Sequence, residues 1–529
     1  MQPISKGILF IFLFFTLIHA TTSYDVSIEK KVNYNSWGAA WDTVVAVKNN
    51  IITVAAVPKL GGRVMQYDLG THPSIYINPA VINKTITDGN TIVGGFRQLP
   101  SPQSDFEWPA PPTLDFGQYK CVIRSSSADS CVVYLESQVE NSTDSKYAKH
   151  KGLQYKRTLT IYKASSRVKV EMVMLNKGAT TLNHGIWDIT QSDCGNGGSA
   201  DKQNIWVYFP LNPNSSMTNG YVEYAQNGAQ DKTQWNRDIV PGIMGVQYKQ
   251  VVAKIGADCK AGWICFVDRL DGYAYVKTFT YQEGKNYPDL GASVQVYTYK
   301  DFPNTEVEVL GPLTSLAPND SVTLVENWYA ARSKGPIYSV NSAGLITKPL
   351  DTAQTKPDTV IVQGAYGVFY PGKARAIFKK ADGTEIAPAD SYAVSPMEYF
   401  DLKDTLKVPA GAAKLMLALF EAGGKFVGNL DSSGVQSPST NASFDGPAAR
   451  GFHGNALAIV KKANALYIHA PCQGAYRMEL TTLDGKRLIS LRGRKPTVYS
   501  LPLSKIPAGV LCVRLWHAGK AETKRVMVR

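Results

Sequence analysis

The chain has 529 residues, too many for one ordinary domain, and its 44 Gly and 29 Pro, spread along the whole length, imply many turns between short strands. Its net charge of +13 is not shared evenly: Gly451 to Arg529 carries 14 Lys plus Arg against Glu479, Asp484 and Glu522, which leaves +2 for everything before it. That confinement argues against nucleic acid as a partner of the main body and marks the last segment as a module with its own purpose.

In chain order, the apolar run GILFIFLFFTLIHA from Gly7 to Ala20 follows Lys6 and leads into small residues through Ser23. This is the pattern of a secretory signal over residues 1–23, and no later apolar stretch is long enough to span a bilayer as a helix. The expectation is an exported protein, secreted or held at the cell surface, periplasmic in transit. Strand signals then follow one another: WDTVVAV, NIITVAAV, CVVYLESQV, RTLTIYKA, RVKVEMVML, NIWVYFPL, YAYVKTFTY, SVQVYTYKD and TEVEVLGPL are rich in Val, Ile, Thr and Tyr, and most have Gly, Pro, Asn or Asp at their edges. They predict one large antiparallel sandwich over residues 24–335. A smaller β-domain follows over 350–430, then the Ser, Gly and Pro-rich linker 431–450, then strands again over 451–529. The predicted fold class is all-β, a large β-supersandwich followed by two small Ig-like β-sandwich domains.

Seven cysteines suit an oxidising compartment. Cys121 with Cys131, Cys259 with Cys265 and Cys472 with Cys512 are the expected bridges, leaving Cys194 free, with buried reduced thiols as the alternative. Four features mark the first region. They are the GGR of PKLGGRVMQYDLG, the block VGGFRQLPSPQSDFEWPAPPTLDFG, the segment LNHGIWDITQ, and YPDLGASVQVYTY followed by EVEVLGPLTSLAPNDSVTLVENWY. In this order they resemble the galactose-mutarotase-like (aldose 1-epimerase-like) superfamily, in an uncharacterised branch, over residues 24–332.

The resemblance implies a β-supersandwich with an open face that receives a sugar. It implies that His184, in Asn183-His184-Gly185-Ile186-Trp187-Asp188, is the acid at the ring oxygen, and that Glu306 or Glu308 is the late glutamate that takes the anomeric proton. An imidazole and a glutamate can supply that chemistry near neutral pH. Strand periodicity puts His184 and Asp188 on one face, lining one groove. Arg97 after the Gly94-Gly95 turn and Lys277 beside Tyr275 and Phe279 are the basic candidates for sugar contact, and Trp187 is a candidate platform. The chain departs from the family at one point: no histidine lies between Phe96 and Phe116, where mutarotases carry a second one. Each residue also has an ordinary reading, a hydrogen-bonded strand histidine, a solvated Glu306/Glu308 face, a core tryptophan.

No metal-ligand cluster, phosphate loop or nucleotide fingerprint is present in the sequence, so neither a metal nor a cofactor is expected. The tail, ALYIHAPCQGAYRMELTTLDGKRLISLRGRKPTVYSLPLSKIPAGVLCVRLWHAGKAETKRVMVR, resembles the C-terminal sorting domains of bacterial cell-surface proteins. That resemblance implies a secretion or cell-envelope component as partner of the basic C-terminus. Two functions stay open, a carbohydrate epimerase or mutarotase and a non-catalytic surface protein that binds mono- or polysaccharide or serves as a scaffold.

Overall fold

The segment LQYKRTLTIY shows how this sequence makes its sheets. Over Leu153–Tyr162 every second residue is buried and the others are half-buried, the period-2 pattern of a strand with one face in a core. The computed structural model describes residues 25–224, 232–356, 358–435, 457–462, 465–472, 474–483, 486–494, 497–518 and 520–528. The signal-like run, residues 436–450 of the expected linker and residues 451–456 after it lie outside them. Among the described residues no helix is long and apolar enough to cross a membrane.

The chain forms two compact units, one up to Pro438 and one from Ser439. In the first, two large antiparallel sheets face each other. A twelve-stranded sheet runs from Ser27–Lys31 through Arg63–Leu69, Gly95–Ser101, Leu182–Asp193, Asn304–Leu310 and Val294–Thr298 to Ala253–Ala257 and Val222–Glu223. A ten-stranded sheet has Tyr273–Phe279, Ser321–Arg332, Val168–Asn176 and Leu153–Tyr162 at its centre. Val54, Phe96, Ile186 and Val307 from the first sheet pack with Tyr155, Met172, Phe266 and Trp328 from the second in one continuous core. Apolar burial of this kind is the main favourable term in folding.

The same unit holds a smaller sandwich of two four-stranded sheets, from Ser339–Val340 to Phe426–Gly434. Its strands begin earlier than residue 350, because the stretch expected to be a connector is itself the strand Gly344–Lys356. Val360, Phe378, Leu402 and Leu417 fill its core. The second unit pairs a three-stranded with a four-stranded sheet around Leu466, Met478, Leu480, Val513 and Leu515.

All seven cysteines are free thiols, which corrects the expectation of three bridges. On the hairpin of Lys120–Ser126 and Ser130–Glu136, Cys121 stands opposite Leu135 and Cys131 opposite Ser126, so the two are four residues, about 13 Å, apart along the strands. A disulfide needs Cα atoms within about 7 Å. Cys259 lies in the core between the large sheets, whereas Cys265 packs with Trp206 and Leu345 on the opposite face of the ten-stranded sheet. Cys472 packs against the C-terminal core. Cys512 alternates with buried Leu511 and Val513, so it points the other way.

Candidate functional site

The strand Leu182–Asp193 lies near the middle of the twelve-stranded sheet, between Gly95–Ser101 and Asn304–Leu310. Its burial is nearly continuous, because both of its faces are covered. Ile186 joins the core between the sheets, and Asp188 and Thr190 share its parity. Trp187 and Ile189 turn the other way, into a second apolar cluster with Leu99, Phe106, Ala110, Tyr147 and Leu310. The loop after Pro102 covers this outer face and leaves a cleft of about 440 Å³ lined by Asn90, Ile92, Gln103, Trp108, Trp187, Ile189, Lys254, Tyr297, Tyr299 and Glu306. Beyond Asp193 the chain turns at Gly195 and Gly197, both at positive φ, a conformation glycine adopts without penalty.

Glu306 stands opposite Gln191 on one side and Tyr297 on the other. Two donors converge on its Oε1, the Gln191 amide at 3.1 Å and the Tyr299 hydroxyl at 3.0 Å, and the Arg97 guanidinium faces the same oxygen as an ion pair at 3.6 Å. Arg97 in turn binds Asp115 at 3.1 Å, and Arg63 of the GGR turn binds the other Asp115 oxygen at 2.7 Å. Burial alone would lower the Arg97 pKa, but Asp115 and Glu306 outweigh it and hold the guanidinium above its ordinary value. Its central carbon lies 4.8 Å from the centre of the Trp108 ring. The Gly94-Gly95 turn is locked to the same network, since Gly94 N–H donates to the Gln191 side chain at 2.9 Å.

Two residues along, Glu308 is fully buried. The Trp187 indole donates to its Oε2 at 2.7 Å, and Lys254 lies 3.4 Å from the same oxygen and 4.8 Å from the Trp187 ring. Burial pushes the Glu308 carboxyl up to about 7, with Lys254 pulling it down and Glu306 adding to the rise. The arrangement thus holds, on one strand face, an engaged glutamate in the cleft and a second carboxyl that changes protonation near neutral pH. Such a pair has the elements of acid–base chemistry.

The other sequence candidates lie elsewhere. Asp188 and Lys277 pair with each other in the interior, where Lys277 also donates to the Val307 carbonyl at 2.8 Å and the Val309 amide donates to Asp188 at 2.5 Å. Glu326 joins them, its carboxyl held up to about 8 by burial and by Asp188, against Lys277. These charges sit between the sheets and line no groove. His184 is buried as well. It donates from Nε2 to the Lys149 carbonyl at 2.9 Å and stacks on His150 with ring centres 4.8 Å apart. It pairs with Thr314 while Glu306 pairs with Gln191, seven residues further along the same strand and so about 23 Å away. The structure therefore brings together Arg97, Trp187, Glu306 and Glu308, and brings neither His184, Asp188 nor Lys277 to them.

Lys254, Gln191, Tyr297, Tyr299, Gln103 and Asp115 complete the site without having been singled out for it. The alternation of Tyr297 and Tyr299 in SVQVYTYKD was a usable signal; Lys254, in an ordinary strand, left none. A larger hollow of about 870 Å³ is lined by Asn212, Tyr221, Trp235 and Arg237 among others. Its described lining holds no carboxylate.

No protein-family model matches the sequence, and no curated protein matches it. Among solved structures, the chain is similar to a galactose mutarotase-like protein of Clostridium acetobutylicum, at 10% identity over 59% of this chain and 99% of that one, with a TM-score of 0.38. A galactose mutarotase-like protein of Lactobacillus casei aligns at 8% identity over 54% and 99%, with a TM-score of 0.35. The Slr1438 protein of Synechocystis aligns at 14% identity over 54% and 93%, with a TM-score of 0.37. The β-sandwich architecture itself rests on the strand pairings described above.

Proposed function

We propose that the cleft on the outer face of the twelve-stranded sheet binds a carbohydrate. The observation that carries this reading is the lining itself. Four aromatic residues, Trp108, Trp187, Tyr297 and Tyr299, surround Glu306, Lys254, Gln103 and Asn90 in one cleft. Aromatic faces pack on the C–H faces of a sugar ring, and a few placed polar groups orient its hydroxyls. With Glu306 Oε1 already accepting from Gln191 and Tyr299 and paired with Arg97, Oε2 is the oxygen offered to a ligand hydroxyl. The order of the GGR, GG…PSPQ…WP and late glutamate blocks supports the same reading by resemblance.

Anomer interconversion is the second reading, favoured by the Glu306–Glu308 pair rather than by a histidine. In it, Glu306 takes the anomeric hydroxyl proton, the Lys254 ammonium gives a proton to the ring oxygen as the bond from that oxygen to the anomeric carbon breaks, and protonated Glu308 beside Lys254 restores the ammonium; reclosure runs the same transfers in reverse. The signal-like N-terminus and the resemblance of the basic tail to sorting domains support export, with the C-terminal unit as the attachment module. Titration of the protein with a panel of monosaccharides and oligosaccharides, followed by polarimetry on any binder, tests both readings. Glu306→Gln and Trp108→Ala each weaken binding tenfold or more, the expected size for a lost charge-assisted hydrogen bond or stacking face, and His184→Gln leaves it within threefold. Full affinity in Glu306→Gln and Trp108→Ala refutes the cleft; binding without faster anomer exchange selects the non-catalytic protein.

A further inference from the structure

We propose that the outer face of the four-stranded sheet in the C-terminal unit is a binding surface for an acidic polysaccharide, separate from the cleft and independent of its assignment. The strands lie in the order Arg487–Gly493, Tyr476–Thr482, Gly509–His517, Lys520–Val528. Tyr476, Met478 and Leu480 on one central strand, and Leu511, Val513 and Leu515 on the other, are buried in the unit's core, so the residues between them stand on the opposite face.

The strand register arranges that face in rows. Arg492, Arg477, Trp516 and Ala521 form the first; Ser490, Glu479, Arg514 and Thr523 the second; Thr481, Cys512 and Arg525 the third, with Arg487 opposite Thr481 across a bulge. The five arginines are exposed. Arg477 and Arg514 flank Trp516, with their guanidinium carbons 5.5 and 5.7 Å from its ring centre. Glu479 is the acidic residue of these rows. It binds Arg477, and Arg487 lies 3.3 Å away.

A merely soluble face would alternate signs along and across its strands. This one sets Arg492 directly across from Arg477, a like-charge pair that destabilises a sheet. Its cations are arginine throughout, although lysines are plentiful elsewhere in the unit. The planar guanidinium grips carboxylate, sulfate or phosphate through paired N–H groups and stacks on aromatic rings, which a lysine ammonium does not do.

Spacing points to a polymer rather than a single anion. Rows about 6.7 Å apart on strands about 4.8 Å apart spread the cations over roughly 14 Å in each direction. One small anion would meet one or two of them, whereas a chain with repeated charges meets several. A single tryptophan among the arginines suits one sugar face, while single-stranded nucleic acid is normally held on several stacked rings.

The test uses the whole chain, with polygalacturonate and dextran sulfate as acidic probes and neutral dextran and an oligothymidylate as controls, at about 0.15 M salt. Both acidic polymers bind, neutral dextran does not, and added salt weakens the binding. Arg477→Ala with Arg514→Ala lowers affinity at least tenfold. The charge-preserving pair Arg477→Lys with Arg514→Lys lowers it at least threefold and guards against a folding artefact. No binding to either acidic polymer, unchanged affinity in both double variants, or tighter binding to the oligothymidylate than to both polysaccharides overturns the proposal.

Discussion

Glu306 and Glu308 are two residues apart on one strand and share a face, yet their surroundings push them into different chemical roles. Glu306 faces the cleft, hydrogen-bonded to Gln191 and Tyr299 and paired with Arg97, while Glu308 is sealed beneath Trp187 and Lys254. The buried carboxyl titrates near 7 and an ordinary glutamate near 4.5. Between those values the unfolded chain gives up a proton that the folded chain keeps. The stability this group contributes is therefore complete below about pH 4.5 and is lost as pH rises through 7. Glu308→Gln keeps an acceptor for the Trp187 indole and has no proton to lose. Relative to the native chain, its unfolding free energy rises by on the order of 2–3 kcal/mol between pH 4.5 and pH 8, measured by urea denaturation at the two pH values. A difference that does not change with pH contradicts this assignment.

The strand Leu182–Asp193 shows where reading the residues worked and where it stopped. Its existence and its glycine exit were legible, because a run with Ile186, Trp187, Ile189 and Thr190 that ends in CGNGG has few other outcomes. Alternation also correctly separates Trp187, Ile189 and Gln191 from Asp188 and Thr190. What it lacks is the label that says which face is the core. With both faces covered, no polar-versus-apolar contrast remains, and Asp188 was expected in a groove when it lies beside Lys277 between the sheets. His184 fails for a second reason, which is that the strand changes neighbours. From Trp187 onward it pairs with Asn304–Leu310, and before Gly185 with Thr314–Leu316, so a histidine near the motif's start is carried far from the glutamate at its end. Gly185 sits at that exchange, and a Cβ there would lie 2.6 Å from the Gly311 carbonyl and 2.7 Å from Ser101 Oγ. Gly185→Val should therefore cost about 1–3 kcal/mol or more, as overpacking a tight core does. It should also weaken sugar binding in the same protein, because Trp187 follows two residues later. Stability within 0.5 kcal/mol of the native chain, roughly the scatter of a neutral surface change, would show that the crossing has room to spare.

At the scale of the whole molecule, the charge asymmetry read from the residues coincides with a structural division. The +11 segment from Gly451 corresponds to a unit with its own core of Leu466, Ile468, Met478, Val513 and Leu515, and the nearly neutral remainder holds the large sandwich and the smaller one. A domain of this small size buries a lower fraction of its surface than a large one and is correspondingly marginal. It also carries the opposed Arg492 and Arg477 across its outer sheet face. Calorimetry on the whole chain is therefore expected to show two transitions, the lower one belonging to the C-terminal unit. Removing the like-charge opposition tests that assignment. Arg492→Thr places a good strand former across from Arg477, and a cross-strand pair is worth about 0.2–1 kcal/mol. In a domain of 60–100 residues each kcal/mol moves the midpoint by about 4–8 °C. The lower transition should rise by a few degrees and the upper one should stay in place, while affinity for acidic polysaccharide falls. A rise in stability with undiminished polysaccharide binding would mean that the arginine pair is retained for some other partner. A single transition that shifts as a whole would mean that the two units unfold together.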